Sequence, residues 1–153
     1  MTRTPTTTRI DSVAFFDALA DEMNAHPEQY EILGDVDIEM AIVMRAEHEE
    51  FRVRLGFLDI RCDGVGEIGD GDEFTADYFL DGPIDAWQEM FDDILANGHA
   101  TGRQTINSLT LMGDRITVKG DDPLGVDKFF RFNQTIQCFL DGAGRIDPTP
   151  TGT

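Results

Sequence analysis

Between Ile38 and Phe57 the apolar residues fall at every second position, twice, on either side of a charged turn. Ile38, Met40, Ile42 and Met44 alternate with Asp37, Glu39, Ala41 and Val43. After Glu47-His48-Glu49 the pattern resumes as Phe51, Val53, Leu55 and Phe57 against Arg52, Arg54 and Gly56. A period of two sends successive side chains to opposite faces of a strand. The two runs predict half-buried strands, and a sheet of that kind needs cover on one side. After Phe57 the apolar set changes parity to Leu58, Ile60 and Cys62, which a bulge near Gly56-Phe57 would produce.

The cover is written in helical spacing. Asp11 or Ser12 can cap a helix running to about Asn24, with Val13, Phe16, Leu19, Ala20 and Met23 in one stripe and Phe15 beside it. Pro27 to Gly34 predicts a loop or broken turn whose Tyr30, Ile32 and Leu33 touch the core. Gly64 to Gly71 is rich in glycine and acid and allows a weak strand at best, around Val65–Ile68. Phe74, Ala76, Tyr78 and Leu80 then restore strand alternation. Asp81-Gly82-Pro83 opens a helix with Ile84, Trp87, Phe91 and Ile94 inward, and Asn97-Gly98 is its natural stop. Ile106, Leu109 and Leu111 suggest a short helix or tucked loop before a last strand carrying Ile116 and Val118 on one face.

The final helix is the least ordinary element. Asp122 is a good N-cap and Pro123 a good first helical residue, since proline there loses no needed backbone donor. Behind them come Val126, Phe129, Phe130, Phe132, Ile136, Phe139 and Leu140. A one-sided amphipathic helix needs less apolar surface than this to reach a core. Part of the helix is therefore expected to meet a cavity, a ligand or a partner chain. The bland alternative, an aromatic stripe that is plain core, stays open.

One domain accounts for 153 residues, long enough for a core without staples. Residues 1–11 and 142–153 are polar and are expected to be flexible tails around a domain at 12–141. The polar start has no apolar signal region and no run spans a bilayer, so a cytoplasmic protein without stable membrane insertion is expected. Cys62 and Cys138 then read as reduced core thiols. With 12 basic residues against 30 acidic ones, the net charge of -18 repels nucleic acid and anionic membrane. Such acidity suits either a host with high internal salt or an acidic mesophile.

No catalytic constellation stands out. His26, His48 and His99 lie at element ends without metal-ligand spacing, and the Asp92-Asp93 and Asp121-Asp122 pairs do not converge on one helical face. Gly64-x-Gly66-x-x-Gly69 has the letters of a dinucleotide fingerprint, but no helix follows it. Asn133-Gln134-Thr135 matches a glycosylation acceptor inside a predicted helix of a protein not expected to be secreted. Neither carries chemistry, and no cofactor is expected. The element order of helix, several strands, helix, strand and helix predicts an α+β fold, an antiparallel sheet with helices packed on one face.

Met112-Gly113-Asp114-Arg115-Ile116-Thr117-Val118-Lys119-Gly120-Asp121 resembles the signature stretch of the sterol carrier protein 2 family. It keeps that family's methionine, a basic residue, two aliphatics and the closing Gly-Asp, and departs at Asp114, where the family has glycine. Ala76-Asp77 and Leu80 to Gly82, followed by the Trp87 helix, are similar to the family's strand-to-helix passage. The resemblance implies a five-stranded sheet and helices enclosing an apolar tunnel for a sterol, fatty acid, acyl-CoA or similar hydrophobic ligand. It implies binding or transfer rather than catalysis. Trp87, Phe91, Met112, Phe129, Phe130, Asn133, Ile136 and Phe139 are the expected lining, Asn133 either orienting a ligand hydroxyl or carbonyl or simply facing water. Two alternatives stand beside it. One is a cone-shaped isomerase-like enzyme using Asp37 or Asp77 in an apolar pocket; the other is an accessory subunit docked on a partner enzyme, or a homodimer.

Overall fold

Three short-range signals set the helix ends. The Ser12 side chain accepts from the Phe15 amide at 3.2 Å and starts α1 (Val13–Ala25). Gly98, in the left-handed region at φ 84°, closes α3 (Ile84–Asn97) with its amide on the Ile94 carbonyl. Asp122 accepts from the Leu124 amide at 3.0 Å, and Pro123 opens α5 (Pro123–Asp141). A single turn, α2 (Glu28–Glu31), follows α1, and α4 (Ile106–Ser108) runs on into a wide π turn over Leu109–Gly113. The structure, a computed structural model, describes residues 9–113 and 115–146, without the side chains of Arg103 and Met112. Asp114 of the signature stretch lies outside the described residues.

The strands are β1 (Val36–Arg45), β2 (Glu50–Asp59), β3 (Arg61–Glu67), β4 (Tyr78–Pro83) and β5 (Thr117–Lys119), in the order β3-β2-β1-β4-β5. β1 and β2 pair from Val36↔Asp59 to Arg45↔Glu50, so their two alternating runs share one inner face. That face, with Ile38, Met40, Ile42, Val53, Leu55, Phe57, Tyr78 and Leu80, is buried under α1, α3 and α5.

Several expectations are corrected. The sheet is five-stranded and mostly antiparallel, but β1 and β4 are parallel, Met40 opposite Tyr78. The reason is the crossover: from β3 the chain returns over the outer face of the sheet and enters β4 in the direction of β1. Phe74 is therefore not a strand residue. It sits in a 3-10 turn (Asp72–Thr75) and packs its ring on Phe79 at 4.9 Å, beside a small outer cluster of Ala41 and Val43. The parity change after Phe57 is a hairpin, with Asp59 at φ 59°; the register shift does fall at Gly56/Phe57, with Asp63 of β3 as the extra residue. β3 is a full strand of seven residues rather than a weak one. Ile32, just past the α2 turn, is 89% exposed, so of the three residues expected to touch the core Tyr30 is buried and Leu33 partly buried. The expected tails are packed in part: Ile10 and Ala143 are buried, and Arg145 pairs with Glu22 at 2.9 Å.

The outer face is charged around its small apolar centre. Arg45 holds Asp81 at 2.6 and 2.8 Å, Lys119 reaches the same carboxylate at 2.9 Å, and Arg52 meets Glu73 at 3.0 Å. Burial alone would raise the Asp81 carboxyl, but Arg45 and Lys119 outweigh it and hold it below the ordinary carboxylate value.

Candidate ligand site

The expected lining residues separate into a buried group and an exposed edge. Trp87 and Phe91 face inward from α3, one turn apart, and the Phe91 ring meets Phe15 edge-on at 4.9 Å. On α5, Phe129 packs on Tyr78 of β4 at 5.7 Å, and Phe139 packs on Phe57 of β2 at 4.9 Å. Ile136 is buried between these two contacts along the helix. An aromatic layer thus lies between α5 and the inner face of the sheet. Edge-to-face pairs at these separations set the positive rim of one ring on the face of another.

Phe130 does not join that layer. It touches Phe129 at 5.2 Å and is 49% exposed. Two residues later α5 is interrupted: Phe132 has φ -117° and ψ 19°, outside helical geometry, with the Arg131 guanidinium over its ring at 4.9 Å. Asn133 follows the break and donates to the Asn107 side chain at 3.3 Å. The Ile106 amide donates to Gln137 at 2.6 Å, so α4 runs antiparallel to α5 along this seam. One turn further in the same direction stand Leu111, 59% exposed, and Phe130. The Met112 side chain lies outside the described residues.

Both ends of α5 are fastened. Gly125 lies on the Asp77 backbone and Lys128 pairs with the Asp77 carboxylate at 3.1 Å. Past the other end, Gly142 and Ala143 are buried. The helix is therefore held at its termini and broken in the middle, next to its half-exposed phenylalanine.

Among the described residues, two buried side chains of this interior find no hydrogen-bond partner, the Trp87 indole N–H and the Tyr30 hydroxyl, and neither does the Gln104 carbonyl oxygen. Burial, followed by the neighbouring Cys138 thiol, raises the Tyr30 phenol above its ordinary value. Phe57, Tyr78 and Phe15, the partners of the expected residues, were absent from the expected lining. The alternation of β2 and the stripe of α1 placed them on the inner face, but neither says which helix residue stands opposite.

Asp37 is exposed, and Asp77 is partly exposed, spanned by the Glu39 amide and Lys128. Neither acid lies in the apolar interior that an isomerase-like site requires. Two clefts lie on the outer face, one between Glu39, Arg54 and Asp63–Ile68 and one, lined mainly by charged residues, around Glu47–Glu50 and Arg52. Both are away from the aromatic layer. Among the described residues no three His, Cys, Asp or Glu side chains are grouped to hold a metal ion, and no helix is long and apolar enough to cross a membrane.

No protein-family model matches the chain, and no curated protein matches it. Solved structures do. A crystal structure of sterol carrier protein 2 superposes with a TM-score of 0.69 at 16% identity, covering 91% of this chain and all of that one (100%). The solution structure of a conserved hypothetical protein from Thermus thermophilus, described as possibly a sterol carrier protein, gives 0.68 at 16% identity, covering 98% and 99%. At such identity the likeness speaks for the backbone, and it extends over nearly the whole chain. With its β3-β2-β1-β4-β5 sheet under α1, α3 and α5, this chain is a sterol carrier protein 2-like domain in its fold.

Proposed function

We propose that this chain binds and carries small hydrophobic molecules between α5 and the inner face of the sheet, without catalysing a reaction on them. The observation that carries the reading is the state of α5. A helix fastened at Gly125 and beyond Asp141, broken at Phe132 and flanked by a half-exposed Phe130 is a wall that can yield in its middle. Behind it lie the packed rings of Tyr78, Phe57, Phe129 and Phe139. The sterol carrier protein in the structural comparison supports the same class of ligand. The seven remaining expected residues, Trp87, Phe91, Phe129, Phe130, Asn133, Ile136 and Phe139, together with Met112, form the proposed lining.

Eight buried methylenes contribute about 6 kcal/mol, which corresponds to a dissociation constant on the order of tens of micromolar. Titration with a fluorescent fatty acid and a fluorescent sterol analogue tests this. Saturable binding of either at micromolar concentration supports the reading, and inertness of both overturns it.

Leu124, 77% exposed, and Phe130 favour a second reading, in which the first half of α5 docks on a partner enzyme or a second copy of the chain. Sedimentation of the isolated protein separates the homodimer from the monomer that the carrier reading expects.

A further inference from the structure

We propose that the ligand of this interior is neutral and carries a hydrogen-bond acceptor, a carbonyl, ester or ether oxygen, that takes the Trp87 indole N–H. The inference rests on the carrier reading and narrows its ligand class. The indole nitrogen can only donate, and native proteins pair nearly all buried donors because an unmade one is unfavourable. Trp87 is fully buried, yet its Nε1 has no partner among the described residues. The interior does not lack acceptors. Tyr30 Oη and Gln104 Oε1 are also without partners, and the Tyr78 hydroxyl goes to the Met40 sulfur at 3.4 Å. The fold thus contains oxygens and brings none of them to Trp87.

The missing acceptor is uncharged on the same evidence. The buried charged side chains among the described residues are Arg52, Glu73 and Asp81. All three belong to the outer-face ion pairs and not to the interior around α3 and α5. A fatty-acid carboxylate beside Trp87 would be buried without a cation, which is far more costly than burying a ketone. A long-chain or polycyclic neutral carbonyl compound meets the indole without that penalty.

The test uses a matched pair, 2-undecanone and 2-methyl-1-undecene, in which a methylene replaces the carbonyl oxygen at nearly constant shape. Each displaces a fluorescent hydrophobe from the wild-type chain and from Trp87→Phe. The wild type is expected to prefer the ketone, relative to Trp87→Phe, by about tenfold, the size of one net buried hydrogen bond. Trp87 is the only tryptophan, so its emission reports the same contact without a variant. A red shift with the ketone and none with the alkene is expected, and this decides the matter if Trp87→Phe fails to fold. An equal preference in both chains, or the same emission change with both ligands, overturns the acceptor assignment and leaves carriage standing. If the probe binds and neither ligand displaces it, the acceptor assignment falls and carriage stands; a probe that does not bind at all overturns the carrier reading and this one with it.

Discussion

Gly125 lies so close to Asp77 that a Cβ built on it would come within 2.3 Å of the Asp77 carbonyl oxygen. Gly120 repeats the contact more loosely, at 3.1 Å from the same oxygen. The first turn of α5 is thereby pressed onto the backbone that leads into β4, and Tyr78, the next residue, receives the Phe129 ring. Backbone proximity at one end of the helix sets where its aromatic residues land.

Gly125→Ala tests this contact through its sign. In an open helix the change stabilises by up to about 1 kcal/mol. Here the methyl meets backbone that cannot turn aside, and a loss of about 1–3 kcal/mol is expected in urea unfolding. A gain in stability would show that the contact is not close.

Phe129 and Phe130 are neighbours in sequence with different surroundings. Phe129→Ala removes a fully buried ring and is expected to cost about 3–5 kcal/mol. Phe130→Ala removes a ring that is half in solvent and should cost about 1 kcal/mol or less, while weakening hydrophobe binding several-fold. Denaturant curves and ligand titrations on both variants check the split. Equal stability losses without any change in binding would make the exposed phenylalanine incidental.

The Asn24 side chain meets the free edge of β3 as a strand would. Its Nδ2 donates to the Cys62 carbonyl at 2.8 Å and its Oδ1 accepts from the Cys62 amide at 2.9 Å. Asn24→Ala is expected to cost about 1–2 kcal/mol, since water can reach the groups it releases. Burial pushes the Cys62 thiol up to about 11, so native alkylation near pH 8 is slow. Loosening this edge should raise the alkylation rate of Cys62, and an unchanged rate would mean that α1 holds the edge without Asn24.

Asp81 gives a pH dependence of defined sign. Its folded-state carboxyl lies below the ordinary 3.8, so the stabilisation is present above that value and disappears as pH falls through the lower folded one. Asp81→Asn should cost on the order of 2 kcal/mol at pH 7, a figure held down because Arg45 and Lys119 can turn to solvent. The gap between variant and wild type should close below about pH 4. A gap that is constant with pH would assign the loss to shape rather than charge.

The net charge of -18 makes folding work against self-repulsion that counter-ions screen. The melting temperature is expected to rise clearly from low salt to molar KCl. A flat response would favour the mesophilic reading of the acidity.

Most of the elements were legible in order because they rest on local chemistry, whereas glycine-rich β3 and the turn at Phe74 were not. Two runs of period two make β1 and β2, caps at Ser12 and Asp122 start α1 and α5 while Gly98 ends α3, and the apolar surplus of α5 is visible by counting. Side chains opposite one another are a different matter. A helical stripe shows that Phe129 and Phe139 turn inward, yet their meeting with Tyr78 and Phe57 depends on strand order. The parallel pairing of β1 with β4 and the placing of Phe74 on the outer face both follow from a crossover that periodicity does not describe. The break at Phe132 and the unpaired N–H of Trp87 likewise arise only when packed elements compete for one interior. Sequence determined which residues seek cover; the tertiary structure decided what covers them, because pairing joins positions far apart in the chain.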